Sequence, residues 1–392
     1  MSEKILSQLV FLPEVKVQGI RYDKGVHYFY LDKDSAYEVC PKCATVSHST
    51  YDHRTIKVKD GHIMSKHCSL LVRKRRFWCK QCRKPFTEPL TGVMKRHRTT
   101  SRYRQEVFCA CLNYTNLKQV RKDYLCSNGF MYKVLYERLE LERRKRLYSW
   151  PKTVGIDEHS FGRSEYGRTR FSTTLVDYNN KRLMEVVDGK AMSDLRDGLN
   201  YIPGRENVKN AVMDMSPTFK SFSKLYFPNA KIIADKFHVI RLLHPAINKK
   251  RIAVTGDVRK NPIRKLLLKN GFDLSYVQRY AVTRWLEENP DIREIYQYKE
   301  SVHRFYRTKG KNKAEQALTN LIAKMKTSTI TEVKTTAMTL NLWKNEILNY
   351  FENRITNART EGFNNKAKLV KRMAYGYKNF NNYRLRLLNA CS

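Results

Sequence analysis

The sequence predicts several domains: a β-rich module with paired cysteines, a helical module, and a mixed α/β domain interrupted by a helical insertion. Its 392 residues exceed what one typical compact core accommodates, which favours two to four domains. Short strand-like segments before residue 92 give way to sequence nearly free of Gly and Pro, and strand-like segments return after residue 151. Hydrophobic residues make up 41% of the chain, which is enough to build real cores.

The chain is strongly basic, with 76 Lys and Arg against 37 Asp and Glu and a net charge of +39. Solubility requires far less charge, so this excess indicates an anionic partner. No apolar run approaches the roughly 20 residues of a membrane span, and the N-terminal MSEKILSQLV has no signal-peptide pattern. Aromatic residues are dispersed among the basic ones, which favours nucleic acid over a membrane surface.

Residues 1–92 predict a zinc-ribbon module that binds DNA. Strand-like segments such as VKVQGIRY and SLLVRKRRFWC are punctuated by two Cys-x-x-Cys pairs. Tetrahedral zinc takes four thiolates at about 2.3 Å, and a long strand-like spacer between two such pairs is typical of a zinc ribbon. The predicted structural Zn²⁺ ligands are Cys40, Cys43, Cys79 and Cys82.

Other metal-ligating residues lie between the two pairs. Cys68, His62 and His67 are alternative ligands, although their spacing is less suitable. The total of nine cysteines is odd, and with no signal peptide it indicates a reducing cytosol rather than disulfides.

Residues 93–150 predict a helical DNA-binding module. The segment NLKQVRKDYLCSNGFMYKVLYERLE has helix-turn-helix spacing, with a turn at Cys126–Gly129 and a second helix suited to a major groove. Any helical hairpin with an Asn-Gly turn has this pattern, but the basic residues on both sides favour DNA binding. The predicted DNA-contacting residues in the two N-terminal modules are Arg73, Arg75, Arg76, Lys118, Arg121, Lys122 and Lys133.

After Pro151 the pattern predicts a mixed α/β domain. Residues 151–238 contain three strand-like segments in a row, followed by alternating helix and strand. Residues 239–350 are lysine-rich and helical, and they predict an α-helical insertion. Residues 351–392 predict a last helix from about Asn357 to Tyr375, followed by a basic tail.

Three acids in this basic chain are candidates for a divalent-metal site. Asp157 and Asp214 each end a predicted strand, and the ends of neighbouring strands meet at one edge of a sheet. Glu361 lies on the last helix, opposite an apolar stripe that Phe363, Ala367, Val370 and Ala374 form at helical spacing. Any one acid alone is more often a solvated surface charge. Converging carboxylates suit Mg²⁺ or Mn²⁺.

The strings VGIDEHSF, VMDMSPTF, ADKFHVIRLL and TNARTEGFNNKAKLVKRMAYGYKNFNNYRLRLL are similar to the transposases of the ISL-three family of bacterial insertion sequences. The likeness covers nearly the whole chain. It implies a ribonuclease-H-like catalytic domain in which Asp157, Asp214 and Glu361 hold Mg²⁺ or Mn²⁺. It also implies a helical insertion between the second acid and the third. Asp235 and His238 resemble an Asp-x-x-His motif and are predicted accessory residues, with Asp235 as the main competitor of Glu361.

The resemblance further implies cleavage at element ends and strand transfer into target DNA. The expected partners are double-stranded DNA with inverted repeats, target DNA, and further copies of the chain in a dimer or larger assembly. The expected location is the bacterial cytosol, at the nucleoid. Residues of the last helix that would face phosphates are Lys368, Lys371 and Arg372. The alternatives are a non-catalytic DNA-binding regulator and a nuclease of the same fold without strand transfer.

Overall fold

The computed structural model describes residues 10, 12, 14–113, 116–163 and 167–392, and the chain forms two compact units, Met1–Glu142 and Arg143–Ser392. Residues 1–9, which the signal-peptide argument concerns, lie outside the described residues. No helix within the described ranges is long and apolar enough to span a membrane.

The first unit contains a five-stranded sheet in the order β1-β2-β6-β5, with β7 paired to β6, and a separate two-stranded sheet. Its strands are β1 (Val15–Asp23), β2 (Val26–Lys33), β3 (Glu38–Val39), β4 (Val46–Ser47), β5 (Thr50–Ile63), β6 (Lys66–Cys79) and β7 (Lys84–Thr87). Phe29, Leu31, Leu70 and Val72 alternate with more exposed residues and form its core. The segments predicted as strands therefore form strands.

Three helices follow in this part of the chain: α1 (Ser101–Asn113), α2 (Leu117–Asp123) and α3 (Asn128–Lys145). The turn between the last two lies earlier than predicted, because Asn128 and Gly129 already belong to α3. Ser127 ends the turn, since its Oγ accepts a hydrogen bond from the Phe130 backbone N–H at 3.2 Å and so caps the helix.

The second unit is built on a mixed five-stranded sheet in the order β10-β9-β8-β11-β12. Its strands are β8 (Thr153–Arg163), β9 (Thr169–Asp177), β10 (Arg182–Asp188), β11 (Asn210–Met213) and β12 (Lys231–Ala234). Neighbours are antiparallel from β10 to β8 and parallel from β8 to β12. Between the strands lie α4 (Met192–Leu199) and α5 (Pro217–Tyr226), which pack apolar residues such as Leu195 and Phe219 against the sheet.

The prediction that Asp157 ends its strand is wrong. β8 continues to Arg163, because residues beyond Asp157 still pair with β9. The parallel pairing between β8 and β11 ends just before Asp157, because Ile156 is the last residue of β8 that pairs with β11.

Residues 239–350, all of which the structure describes, contain helices and no strand, as the sequence predicts. The helices from β12 onward are α6 (Lys236–Ile240), α7 (His244–Thr255), α8 (Ile263–Leu268), α9 (Tyr276–Glu287), α10 (Pro290–Phe305), α11 (Lys311–Lys326), α12 (Thr331–Leu342) and α13 (Lys344–Asn353). Their inward residues form one continuous apolar cluster, which extends to Val212 and Ile233 in the sheet.

Two helices close the chain, α14 (Ala358–Met373) and α15 (Phe380–Ala390). Phe363 and Ala367 of the predicted stripe are buried and Val370 is half-buried, but Ala374 is exposed because the helix ends at Met373. The predicted basic tail instead contains α15, whose Tyr383 and Leu387 pack with Phe363 against the sheet. Their spacing of four residues places both on one side of a helix.

Candidate active site

The strand register brings three aspartates to adjacent positions. On β11, Met213 pairs with Ile156 of β8 on one side and with Ala234 of β12 on the other. The next residues along the three neighbouring strands are Asp157, Asp214 and Asp235. All three therefore lie at the carboxyl edge of the parallel part of the sheet.

Asp157 is largely buried in this cluster. Its Oδ1 accepts a hydrogen bond from the Glu158 backbone N–H at 2.8 Å, and its Oδ2 accepts one from Asn364 Nδ2 at 3.0 Å. Burial raises the pKa of the Asp157 carboxyl to about 6, and the charge of Asp214 contributes in the same direction. The carboxylate is thus held in an environment that disfavours its negative charge.

Among the three aspartates, Asp214 has the surroundings that most favour a bound cation. Its Oδ1 is buried and has no hydrogen-bond partner among the residues that the structure describes. Burial raises the pKa of Asp214, the charges of Glu158 and Asp235 raise it further, and His238 lowers it. A buried carboxylate oxygen without a donor is costly, and a divalent ion would satisfy it. Asp157 and Asp214 therefore fit a divalent-metal site.

Asp235 has a different environment, because its two oxygens accept three hydrogen bonds, one more than those of Asp157. Oδ1 accepts from the Asn357 backbone N–H at 2.9 Å, and Oδ2 accepts from the backbone N–H of His238 at 3.3 Å and lies 3.0 Å from Nδ1 of the same residue. The hydrogen bond to Asp235 raises the pKa of the half-exposed His238 ring. Asp235 thus ties the end of β12 to the start of α14.

Glu361 lies in the first turn of α14, and its side chain is exposed. Its carboxylate has no hydrogen-bond or ion-pair partner within the described ranges. Asn364 follows three residues later, so the two side chains are neighbours on the helix surface. Because Asn364 donates to Asp157, this part of α14 lies beside the aspartates.

Gly155 on β8 permits the close approach of α14. A Cβ at this position would lie 2.3 Å from Oγ1 of Thr360 and 2.4 Å from the ring of Tyr178. The Tyr178 hydroxyl in turn donates to the Thr356 carbonyl at 3.0 Å, just before the helix. The absence of a side chain at Gly155 therefore determines how close Glu361 comes to the sheet.

The sequence analysis missed Asn364 and His159, which lie next to Asp157. His159 is buried, and its ring nitrogens lie 2.9 Å from the hydroxyls of Ser172 and Thr174. Burial lowers the pKa of His159 to about 4, so the ring is neutral. A sequence signal for it existed, because His159 follows Asp157 by two residues and so shares its face of the strand.

The basic residues predicted on α14 have two kinds of environment. Lys368 and Arg372 are exposed, whereas Lys371 is half-buried and donates to the Ser160 carbonyl on β8. Burial and the nearby charge of Lys368 lower the pKa of Lys371.

The four predicted zinc ligands converge in the first unit. The sulfurs of Cys40, Cys43, Cys79 and Cys82 all lie within 4.8 Å of one another. Two of the separations are 3.4 Å, from Cys43 to Cys79, and 4.0 Å, from Cys40 to Cys82. Sulfurs around one tetrahedral zinc with 2.3 Å bonds are about 3.8 Å apart, so the cluster fits this ion.

The alternative zinc ligands serve other purposes. Cys68 is buried in the sheet core, which raises the pKa of its thiol to about 12. Nε2 of His62 lies 3.0 Å from Nδ1 of His67, and Nδ1 of His62 lies 3.2 Å from a carboxylate oxygen of Glu106. Among the described residues, no other group of three or more His, Cys, Asp or Glu has ligand atoms that all lie within 4.8 Å of one another. The oxygens of Asp157, Asp214 and Glu361 are therefore not all within that distance.

The predicted DNA-contacting residues of the first unit differ in availability. Arg75 is held by Glu88 at 2.9 Å and by Ser35, and Arg76 pairs with Asp52. The side chains with the greatest exposure are Arg73, Lys118, Lys122 and Lys133, while Arg121 is half-buried.

Comparisons with known proteins identify the family of the chain. A family model for the ISL3 transposases matches residues 154–387, a range that includes Asp157, Asp214, Asp235 and Glu361. A second model, the zinc finger of the transposases of IS204, IS1001, IS1096 and IS1165, matches residues 36–82. A DNA-cleaving and DNA-transferring enzyme, a transposase, is the class that these matches define. The chain belongs to the ISL3 transposase family.

A relative in Bordetella parapertussis is similar along most of its length. The transposase for insertion sequence element IS1001 is 24% identical over 365 residues, covering 89% of this chain and 87% of the relative. The resemblance expected from the sequence is therefore confirmed, as is the zinc ribbon.

Proposed function

We propose that Asp157, Asp214 and Glu361 hold the catalytic Mg²⁺ or Mn²⁺ ions with which this transposase cleaves element ends and joins them to target DNA. The buried Asp214 oxygen without a hydrogen-bond donor, at the position next to Asp157, carries this proposal. In such sites paired divalent ions activate the attacking oxygen and stabilise the leaving oxygen.

The third ligand is assigned to Glu361 rather than Asp235. Asp235 accepts three hydrogen bonds, two of them on Oδ2, so it has fewer open acceptor positions for a metal ion than an acid without partners. The Glu361 carboxylate has no hydrogen-bond or ion-pair partner within the described ranges. Glu361 also lies one helical turn from Asn364, which donates to Asp157. Asp235 would then be a positioning residue, since it accepts hydrogen bonds from Asn357, just before α14, and from the His238 ring.

The remaining residues of the site would orient the acids and contact the DNA backbone. Asn364 orients the Asp157 carboxylate, and neutral His159 fills the space behind it with its ring nitrogens satisfied. The exposed His238 ring, protonated more readily than an ordinary histidine, would contact a phosphate. Lys368, Lys371 and Arg372 would hold the DNA backbone along α14.

The sheet and its flanking helices would form the ribonuclease-H-like domain implied by the resemblance. Three antiparallel strands followed by alternating helices and parallel strands support this assignment. In this scheme residues 151–238 and 351–392 build the catalytic domain, and residues 239–350 form the insertion.

The N-terminal part would recognise the element ends. The four-cysteine cluster would hold a structural Zn²⁺ in residues 1–92, and α2 and α3 would act as a helix-turn-helix within residues 93–150. Joining two ends in one event requires two copies or more, so a dimer or larger assembly on DNA is part of the proposal. The bacterial cytosol, at the nucleoid, would be its location.

The test is a joining assay with labelled element-end duplex, a target plasmid, and Mg²⁺ or Mn²⁺. We expect Asp157→Asn, Asp214→Asn and Glu361→Gln each to lose cleavage and joining, while the matched surface variant Asp188→Asn retains both. Full joining by Glu361→Gln would refute the site. Cutting without joining by the wild-type chain would indicate a nuclease, and no cutting would indicate a regulator.

A cysteine series separates a metal ligand from a positioning residue. A thiolate binds Mn²⁺ or Cd²⁺ better than Mg²⁺, so a cysteine at a ligand position is rescued by the softer ions. We expect such rescue for Glu361→Cys and none for Asp235→Cys. The reverse pattern would exchange the roles of these two acids.

A further inference from the structure

Large apolar side chains are unusually exposed at one place in the helical insertion. Tyr276 is 86% exposed, Val277 73% and Tyr280 57%, and all three lie on the outer side of α9, which is anchored by Val282 and Leu286 on its inner side. Just before this helix, Phe272 is 55% exposed. Isolated exposed apolar residues are ordinary, but four within nine residues form a patch that calls for a partner.

Positive charge surrounds this patch. Residues 256–284 contain seven basic residues and two acidic ones. The basic residues are Arg259, Lys260, Arg264, Lys265, Lys269, Arg279 and Arg284. Within 167–392, where every residue is described, no ion pair holds Arg259, Lys265 or Arg284. A cationic surface with protruding aromatic rings is complementary to nucleotides.

The patch is connected to the proposed catalytic site by a short series of contacts. Lys236 follows Asp235, and its Nζ lies 5.7 Å from the centre of the Tyr306 ring. The next residue, Arg307, places its guanidinium 3.4 Å from the centre of the Phe272 ring. The turn that carries Phe272 is also fixed, because the Gly271 backbone N–H donates to Glu300 of α10 at 3.0 Å.

From this geometry we propose that Phe272, Tyr276 and Tyr280, with the surrounding arginines and lysines, bind unpaired nucleotides of a DNA strand beside the cleavage site. Tyrosine and phenylalanine rings stack on base faces, which are accessible in single strands and covered in a duplex. Tyr276 and Tyr280 are four residues apart, so their rings lie on one side of α9. The surface therefore discriminates by strandedness rather than by sequence.

The location beside a cleavage site rests on the proposed function, but the binding itself can be measured without catalysis. The full zinc-loaded chain carrying Asp157→Asn is titrated without added Mg²⁺ or Mn²⁺ against a fluorescein-labelled 20-nucleotide oligothymidylate and its duplex with oligoadenylate. The double variant Tyr276→Leu/Tyr280→Leu keeps the apolar character and loses the rings. We expect it to weaken single-strand binding at least tenfold, about 1.4 kcal/mol, and to change duplex binding less than twofold.

Two controls make the result specific to stacking. Tyr276→Phe/Tyr280→Phe should bind the single strand as tightly as the parent chain. Met338→Ala/Leu342→Ala, an equally spaced exposed pair on α12, should leave both affinities unchanged. These measurements stand apart from the Glu361→Gln joining assay, so either proposal can fail without the other.

Several outcomes would overturn the proposal. They are unchanged single-strand binding by the leucine variant, equal weakening of single-strand and duplex binding, and a phenylalanine variant as weak as the leucine variant. A dimer that dissociates on leucine substitution while single-strand affinity persists would assign the patch to contact between copies of the chain.

Discussion

Asp157, a metal ligand in the proposed site, illustrates how a buried acid lowers the stability of the protein that carries it. Its pKa of about 6 lies above the ordinary value of 3.8, chiefly because of burial. The folded protein therefore binds a proton at this carboxyl more tightly than the unfolded chain does. At pH 7 both states are ionised, and the folded state bears the cost of the buried charge.

We expect Asp157→Asn to abolish DNA joining and yet to raise the Tm of the zinc-loaded protein at pH 7.5 when Mg²⁺ and Mn²⁺ are left out. Asparagine removes the charge and retains the acceptor for the Glu158 N–H, while the Asn364 amide can turn its oxygen, which has no partner, toward the new group. Each kcal/mol corresponds to roughly 2–4 °C for a domain of this size.

The sign of the pH dependence follows from the raised pKa. As pH falls through about 6, the wild-type carboxyl takes up its proton and the advantage of the asparagine variant disappears. Thermal unfolding of the zinc-loaded protein without added Mg²⁺ or Mn²⁺, at pH 7.5 and 4.5, measures the Tm difference between variant and parent at each pH. A variant that is less stable at pH 7.5 would contradict the account, and Asp188→Asn provides the surface comparison.

Asp157 and Asp214 could be selected as candidates from the sequence because each directly follows a short apolar run. Asn364 could not, since its partner is 207 positions away in the chain and only the packing of α14 on β8 brings them together. His159 could have been found from its position two residues after Asp157 on the same strand. Arg75 was predicted to contact DNA because it is basic, but the structure shows that Glu88 holds it.

At the scale of elements, the contact between β8 and α14 decides whether the third acid reaches the other two. We expect Gly155→Ala to lower joining activity at least tenfold while DNA binding persists, because the new Cβ would collide with Thr360 and Tyr178. Displacements of about 1 Å cost catalysis on the order of 100-fold.

Gly162→Ala is the matched control for Gly155→Ala. It lies on the same strand, and a Cβ there would meet no atom within 4 Å. We expect full activity from it. If both variants were equally active, α14 would have room to move without loss of function, and the close approach at Gly155 would have no catalytic meaning.

The four-cysteine cluster lies within residues 36–82, and loss of its metal ion should affect the structure of that region alone. We expect Cys79→Ser to lower the bound zinc from one ion per chain to nearly none and to expose residues 36–82 to proteolysis, since structural zinc supplies folding energy. Metal analysis and limited proteolysis measure this. Cys109→Ser, at an exposed free cysteine, should change neither, and undiminished zinc in Cys79→Ser would refute the ligand set.

The sequence predicted the strands of the first unit and the long helical insertion, because alternation and helical spacing are local patterns. It misjudged elements whose ends depend on distant partners. β8 extends past Asp157 because β9 continues to pair with it, and α15 was missed because its Tyr383 and Leu387 are scattered among polar residues.

The charge of the whole molecule, +39, gives a prediction for DNA binding. We expect the affinity for a 30-base-pair duplex to fall about 10³-fold or more between 50 and 200 mM salt, as for proteins that neutralise six or more phosphates. Fluorescence anisotropy over a salt series measures the slope. Arg372→Gln should reduce it by about one unit.

The control for this prediction is Lys249→Gln, because Lys249 is exposed but already paired with Glu332 at 3.1 Å. Its salt slope should equal that of the unaltered chain. An affinity independent of salt would mean that phosphate neutralisation does not drive binding, whatever the net charge.

The place of α14 after the helical insertion also matters during synthesis. At roughly 5–20 residues per second, a ribosome needs about 7–30 s to extend the chain from Asp214 to Glu361. Throughout that interval the nascent protein has its zinc ribbon and two aspartates but no third acid. With the roles proposed above for Glu361 and the N-terminal modules, a copy of the gene interrupted by a stop codon within the insertion would encode a protein that occupies DNA without cutting it, and such a product would restrain the intact enzyme.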